Sequence, residues 1–218
     1  MTDDTVLNLW KCNLGSIPAT IWDRIELQAL ILADNGLTEV SEKLGQLVAL
    51  RMLDLGHNQL IRLPESIGDL AALQDFLYLH CNQLTALPRS IGRLEKLRYL
   101  NLSENAFSEL PECVCGLSNL IELRITDNRL MTVPACIARL HKLRELHLRN
   151  NRLTTLPEAI GELSELRLLD LRGNPLESLP DAIATMPRLE KLDLRWIDSM
   201  SFPVWLDALE ARGCIVYR

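Results

Sequence analysis

Side chains of the types that bind zinc are grouped in the first half of the sequence: Asp34, Asp54, His57, His80 and Cys81. Carboxylate, imidazole and thiolate groups together can complete a tetrahedral zinc shell. The short paired spacings that are typical of structural zinc sites are absent here. The sequence therefore favours a solvated polar patch, with a metal site as the alternative.

The six cysteines and four histidines are the other candidates for chemistry. A cysteine nucleophile needs a base and an orienting group within hydrogen-bond reach. The cysteines are scattered along the chain, and none pairs convincingly with a histidine. The sequence also has no glycine-rich phosphate loop and no catalytic-triad motif. It predicts no catalytic residue, no cofactor and no enzyme activity.

One repeated pattern sets the elements that must position these residues. Residues 143–163, LRELHLRNNRLTTLPEAIGEL, fit the template LxxLxLxxNxLxxLPxxIGxL. The alternation of Leu146 and Leu148 predicts a strand with one buried face. Asn151 ends that strand, where its amide can satisfy buried backbone groups. Each unit leaves an apolar edge that only its neighbours can cover.

Asparagine marks the repeat at Asn35, Asn58, Asn82, Asn105, Asn128, Asn151 and Asn174. The interval is 23 residues, except for 24 between Asn58 and Asn82. Extending it to both ends gives about nine repeats over residues 5–209. A helix and a final strand are predicted within 204–218. We expect one domain over residues 1–218.

Composition narrows the classes of partner. The formal net charge of −6 argues against nucleic acid and acidic membranes, which attract basic surfaces. No apolar run approaches the ~18 residues of a membrane helix. The first ten residues, MTDDTVLNLW, lack the features of a secretory signal.

The scattered cysteines predict a reducing, cytoplasmic setting, with a secreted effector that is delivered without a signal peptide as the alternative. Cys113 and Cys136 occupy the same repeat position and lie close enough for a disulfide. The other residues at this position are small, so tight packing is the favoured interpretation.

The 23-residue period and the phrases LPESIGDL, LPRSIGRL and LPEAIGEL resemble intracellular, Ras-group-like leucine-rich repeat proteins of bacteria, plants and animals. The resemblance implies an α/β fold: a right-handed solenoid or horseshoe, with a parallel β-sheet on the concave face and short helical, 3-10 or irregular convex segments. Its relatives serve as recognition modules and signalling scaffolds, often beside GTPase, kinase or ubiquitin-ligase domains.

In this arrangement the variable strand positions form ladders across the concave face, with rungs ~4.8 Å apart. The first five repeats present apolar side chains there, and the last four present charged ones. An uncovered apolar patch usually marks a contact site, and Trp, Tyr and Arg dominate interface energetics. The predicted partner-binding residues are Trp10, Ile31, Met52, Phe76, Tyr78, His80, Tyr99, Arg124, His147, Arg149, Arg172, Arg195 and Trp196.

Both halves of this face have a structural alternative. Phe76, Tyr78 and Tyr99 can stack on one another and stabilise the sheet without a ligand. The charged half contains as many acids as bases, so it can be a self-neutralising ladder. An anion site on the arginines is disfavoured, because Asp170 and Asp193 stand beside them.

The single extra residue falls between Leu73 and Leu77, at the start of a strand. An insertion there predicts a bulge that re-aims the nearby side chains Phe76 and Tyr78. A tolerated irregularity without functional effect is the equal alternative.

All four tryptophans, Trp10, Trp22, Trp196 and Trp205, lie in the terminal repeats. Capping of the core by these large rings is favoured. The alternative is end-to-end association of a chain that is otherwise a monomer.

These features predict a non-enzymatic module that binds a protein or peptide on its concave face. The alternative is the substrate-recognition portion of a larger enzyme or of a bacterial effector linked to a ubiquitin ligase or a GTPase.

Overall fold

The computed structural model describes residues 4–218. Within them, ten three-residue strands form one parallel sheet in which spatial order equals sequence order. The strands are β1 Val6–Asn8, β2 Ala29–Ile31, β3 Met52–Asp54, β4 Phe76–Tyr78, β5 Tyr99–Asn101, β6 Glu122–Arg124, β7 Glu145–His147, β8 Leu168–Asp170, β9 Lys191–Asp193 and β10 Ile215–Tyr217. Each strand thus adds one rung to an open α/β solenoid.

A short 3-10 helix returns the chain from each of the first eight strands. These helices are Ala19–Asp23, Glu42–Gln46, Glu65–Asp69, Arg89–Arg93, Glu112–Gly116, Ala135–Arg139, Glu158–Glu162 and Asp181–Thr185. Proline precedes all of them except the second. Proline suits this position because its φ is fixed and the first helical turn needs no N–H from it. Adjacent helices approach closely, since a Cβ on Gly68 would lie 2.4 Å from the Ser90 carbonyl oxygen.

The core is a stack of leucines between the sheet and the 3-10 helices. The central residue of β2 to β9 is always leucine and always fully buried. One connected cluster of buried side chains extends from Ile21 to Cys214. Because all strands share one register, identical residues stack directly and fill the core layer by layer.

The marker asparagines form a buried ladder beside this core. Asn151 donates through Nδ2 to the carbonyls of Ile125 and Leu148, both at 2.9 Å. Its Oδ1 accepts the N–H of Leu130 at 3.0 Å. The residue before each marker has a left-handed backbone, with φ of 52° at Cys81, for example. The amide therefore satisfies the backbone groups that this tight turn leaves unpaired.

The extra residue of the fourth repeat lies just before β4. Asp75 donates its N–H to the Arg51 carbonyl at 3.0 Å, and its carboxylate pairs with the Arg51 guanidinium at 3.2 Å. β4 pairs with β5 only through Leu77 and Tyr78. Phe76 therefore lacks the backbone pairing with Tyr99 that the register of the other strands would give it. The insertion therefore interrupts the ladder locally, as a bulge does.

The cysteine expectation is wrong in one respect. The structure joins Cys115 to Cys136 in a disulfide, whereas Cys113 is free and half-buried. The bonded Cα atoms lie 5.8 Å apart. That separation suits a disulfide, and the diagonal pairing across two adjacent 3-10 helices provides it.

The ends correct the capping interpretation of the tryptophans. Trp22 is buried, and the half-buried Trp205 donates its indole N–H to Asp181 at 2.9 Å. Trp10 and Trp196 are 60% and 65% exposed, so they do not cover the core. The predicted C-terminal helix is present as α1, Trp205–Ala211, and β10 follows it. In residues 4–218, no helix is long and apolar enough to cross a membrane.

Candidate functional site: the open face of the sheet

We call the open face the side of the sheet that carries the first and third residue of each strand, opposite the buried leucines. Alternation continues past each strand, so the residue two after its end also points to this face. All thirteen predicted partner-binding residues occupy such positions or the turn that follows. They do not form one patch, because Trp10 follows β1 and Trp196 follows β9 at the opposite end.

An aromatic cluster lies at the centre of the open face, on β4 and β5. The ring centroids of Phe76 and Tyr78 are 5.7 Å apart, and the two ring planes are nearly parallel. The Tyr99 ring lies 5.5 Å from Phe76 and 5.2 Å from Tyr78. These distances are those of favourable aromatic pairs. The stacking proposed as a structural alternative is therefore present, and it joins the three rings into one continuous surface.

Phe76 remains 40% exposed despite these contacts. Apolar positions continue from it towards the N-terminus, since Met52 is its register partner on β3. Burial raises the pKa of Tyr78 and of Tyr99, so both phenols stay neutral at physiological pH. The cluster is therefore an uncharged, partly uncovered surface on a face with no layer above it.

A cleft of about 230 Å³ opens beside the aromatic cluster. Its lining residues are Asp75, Phe76, Arg98, Tyr99, Ile121 and Glu122. Arg98 and Ile121 directly precede β5 and β6. Neither was among the residues predicted from the sequence to bind a partner. Their repeat position, just before each strand, is the signal that would have identified them.

The charged half is a ladder of internal ion pairs. Arg172 binds Asp170 with two hydrogen bonds of 2.8 and 2.6 Å, and Arg195 binds Asp193 with two of 2.9 and 2.7 Å. Arg149 donates to Asp127 at 2.9 Å. Each arginine of the column therefore already has a carboxylate partner, which removes the basis for an anion site there.

His147 is buried inside this ladder. Its Nε2 lies 3.2 Å from Glu145 and 3.7 Å from Glu122, and its Nδ1 lies 4.0 Å from Asp170. Burial raises the pKa of Asp170, but hydrogen bonds from Arg172 and His147 outweigh it and hold that pKa well below its ordinary range. The acid consequently stays ionised and organises the two side chains around it.

The C-terminal end of the ladder contains an aromatic contact that the sequence reading missed. The Arg195 guanidinium lies 4.9 Å from the Tyr217 ring and 5.8 Å from the Trp196 ring. Lys191 lies 5.1 Å from the same tyrosine. Tyr217 pairs with Asp193 as a tenth rung, so continuing the column into β10 would have found it.

Within residues 4–218, two groups of side chains have donor atoms close enough to share a metal ion. They are His57, His80 and Cys81, and Glu122, Glu145 and His147. The first group contains three of the five residues singled out from the sequence as metal-type ligands. In the second group Arg124 already pairs with Glu122, so a cation is present there.

Comparison with known families supplies the identification. A model described as leucine-rich repeat region matches residues 75–147 and 134–211, and a leucine rich repeat model matches residues 25–76. The chain belongs to the leucine-rich repeat family. No curated protein matches it.

Solved structures of leucine-rich repeat proteins are similar over nearly the whole chain. The leucine-rich repeat domain of the type III effector XopL gives a TM-score of 0.84 at 27% identity, covering 100% of this chain and 77% of that one. A leucine-rich repeat protein of Leptospira interrogans gives 0.74 at 29% identity, covering 96% of this chain.

A plant receptor is similar as well. The ectodomain of the Arabidopsis thaliana membrane receptor kinase GASSHO1/SCHENGEN3, in complex with CASPARIAN STRIP INTEGRITY FACTOR 2, gives a TM-score of 0.75 at 33% identity over 87% of this chain. This chain spans 65% of the length of the Leptospira protein and 24% of that of the ectodomain. The similarity therefore concerns the repeat array and not the whole of those proteins.

Proposed function

We propose that this leucine-rich repeat chain is a non-enzymatic interaction module that binds a protein or peptide segment across its open face. The observation that carries the proposal is the partly uncovered aromatic cluster of Phe76, Tyr78 and Tyr99. Burial of an apolar surface of this kind by a partner removes it from water, which makes a favourable contribution to the free energy of binding. The receptor ectodomain with its bound factor supports the same use of the fold.

In this proposal the apolar part of the partner lies on the aromatic cluster and its charged part lies along Arg124 to Arg195. Arg172 and Arg195 are held by buried carboxylates, so they offer oriented N–H groups and little unpaired charge. Charged side chains arranged in this way select and orient a partner more than they raise its affinity. Most of the binding free energy is therefore assigned to the aromatic half.

The test is selection of binding peptides from a random library on immobilised wild-type protein, followed by affinity measurement. A triple variant with alanine at Phe76, Tyr78 and Tyr99 should bind the selected peptides at least ~2 kcal/mol more weakly, which raises Kd about thirtyfold. The matched control replaces three exposed apolar residues outside the strands with alanine and should bind like wild type: Val48, Ile61 and Met131. Equal binding by both triple variants, with both folded, would refute the proposal.

A second candidate is the recognition portion of a larger enzyme or effector. The observation in its favour is the TM-score of 0.84 with the leucine-rich repeat domain of the effector XopL. Detection of the protein in its native cells with an antibody to the repeats tests this candidate. A species longer than 218 residues is expected if it is right, and a species of this length contradicts it.

We further propose the Ras-group-like subtype, on the 23-residue period, and with it the cytoplasm as the compartment. The Cys115–Cys136 disulfide favours the alternative of an exported effector, because disulfides persist in oxidising surroundings. Trapping free thiols in intact cells before lysis separates the two. Reduced Cys115 and Cys136 are expected in the cytoplasm, and a trapped disulfide would overturn that compartment.

A further inference from the structure

Three metal-type side chains meet on the open face beside the aromatic cluster. His57, His80 and Cys81 each offer one donor atom, and these atoms all lie within 4.8 Å of one another. They come from adjacent coils that the backbone ties together, since the His57 N–H donates to the His80 carbonyl at 2.9 Å. The long sequence interval between His57 and Cys81 hides this proximity from motif searches.

We propose that His57, His80 and Cys81 bind a Zn²⁺ ion whose fourth position is open to water. Two imidazole nitrogens and a thiolate are ligand types that zinc takes in proteins, and three protein ligands with one water complete a four-coordinate site. Bonds of about 2.0–2.3 Å place the donors of a tetrahedral site roughly 3.3–3.8 Å apart. Because the His57 side chain is exposed, rotation about its χ angles can close the remaining distance.

His80 is the ligand that the protein itself positions. A Cβ on Gly56 would lie 2.5 Å from the His80 ring, so the ring in this position lies against the bare backbone of Gly56. The Tyr78 ring packs edge-on to it, at 6.0 Å between centroids. His80 Nδ1 is buried and has no hydrogen-bond partner within residues 4–218. A buried ring nitrogen ordinarily has a partner, and a metal ion supplies one here.

The surroundings also favour a cation. The carboxylates of Asp54 and Glu104 face His80 and Cys81, and their negative charge attracts a divalent ion.

The second group of close donors provides a contrast. Glu122 there is bonded to Arg124, and Glu145 is hydrogen-bonded to His147 at 3.2 Å. Part of its negative charge is thus already balanced by Arg124. It also lacks a thiolate, so its affinity for zinc should be lower. We therefore assign zinc to the histidine and cysteine group alone.

The first experiment titrates the metal-stripped 218-residue chain with Co²⁺ and then Zn²⁺ chloride under inert gas without reductant, so that the Cys115–Cys136 disulfide stays closed and Cys81 stays a free thiol. We expect one equivalent of Co²⁺ with a thiolate-to-cobalt absorption band, displaced by Zn²⁺. Cys81→Ser should remove that band, and His57→Ala and His80→Ala should each weaken Zn²⁺ binding at least ~10-fold. Cys12→Ser and His141→Ala are the matched controls and should behave like wild type.

A second measurement on the wild-type chain needs no variant and so does not depend on variants folding. Zn²⁺ should slow alkylation of Cys81 and leave that of the exposed Cys12 unchanged, as followed by mass spectrometry of the digested protein. Equal alkylation of Cys81 with and without Zn²⁺, or no loss of affinity in the ligand variants, would overturn the zinc site. The peptide-binding proposal is unaffected by either result, because it does not depend on the metal.

Discussion

At the scale of single residues, the marker asparagines make side-chain hydrogen bonds to the backbone that no apolar residue can make. All but the half-buried Asn105 are buried, and the amide bridges backbone groups of successive coils. Buried backbone groups without partners are costly, so the residue type is fixed by hydrogen bonding. The neighbouring open-face residues are free of this constraint and can vary with the partner.

Replacing Asn151 with alanine should lower the free energy of unfolding by about 2–4 kcal/mol. The reason is that the carbonyls of Ile125 and Leu148 and the N–H of Leu130 would lose their hydrogen-bond partner. Urea denaturation measures the change. Asn119, whose bonds to Glu95 and Lys142 are exposed, is the matched control, and Asn119→Ala should cost less than ~0.5 kcal/mol. Similar losses in the two variants would contradict the buried-ladder account.

Asp170 predicts a pH dependence of stability. Its pKa is lower in the fold than in the unfolded chain, so the unfolded state binds the proton first as the pH falls. The stabilisation from Asp170 is therefore complete at neutral pH and should decline below about pH 4.

Asp170→Asn should lower stability by ~1–3 kcal/mol at pH 7 and flatten the acid decline, as measured by urea denaturation from pH 7 to pH 3. Glu177→Gln, which removes an exposed carboxylate, is the control and should run parallel to wild type. An acid decline of Asp170→Asn as steep as that of wild type would show that Asp170 does not contribute.

At the scale of elements, the repeat unit is a three-residue strand returned by a 3-10 helix. Such short elements are not stable alone, and their stability comes from the units on either side. The effect of the insertion at Asp75 is local, because Phe76 keeps its pairing with Met52 on β3 and loses only the pairing with β5, which resumes at Leu77. The disulfide is the one covalent tie between adjacent 3-10 helices, at Glu112–Gly116 and Ala135–Arg139, in the part of the chain described.

Removal of that disulfide is predicted to destabilise the chain. Cys115 and Cys136 close a loop with a sequence separation of 21, and a bond across such a loop typically contributes about 2–4 kcal/mol. Cys136→Ser should therefore unfold at lower urea concentration under oxidising conditions. The control is Cys113→Ser, which removes a free half-buried thiol. A reductant should destabilise wild type but not Cys136→Ser. If it lowers the free energy of unfolding of both proteins equally, the disulfide makes no contribution.

At the scale of the whole molecule, the two ends of the sheet differ. At the C-terminal end, α1 packs beside β10, and Arg218 ties it through bonds of 2.8 Å to Asp207 and 2.9 Å to Glu210. At the N-terminal end, β1 is an edge with Val6 and Trp10 exposed. Both edge strands have only three residues, and short edges offer few backbone groups for pairing with another chain.

We therefore predict a monomer. Light scattering during size exclusion should give the mass of one chain at every loading concentration. Should the mass rise with concentration, Val6→Lys on the edge strand β1 should restore the monomer, and Phe202→Lys, outside the strands, should not. A mass that rises and is unaffected by Val6→Lys would place the contact elsewhere.

The sequence was sufficient for the fold because the repeat ties residue type to position. The interval between markers predicted the strands, and the leucines of β2 to β9 are buried as expected. It was less sufficient for the cysteines, where equal spacing placed Cys113 beside Cys136 and tight packing was favoured over a disulfide. The disulfide uses Cys115, because the diagonal between neighbouring 3-10 helices depends on backbone geometry that spacing does not encode.

The sequence by itself determined the solenoid, its register and the residues that line the open face. Only the tertiary structure decided which of those residues act together. Stacking of rungs brings Phe76 against Tyr99 and His57 against Cys81, and it pairs Arg172 with the buried Asp193 of the next rung. The physical reason is that the repeat fixes where each Cβ lies, whereas contacts between side chains depend on their rotamers and charges in three dimensions.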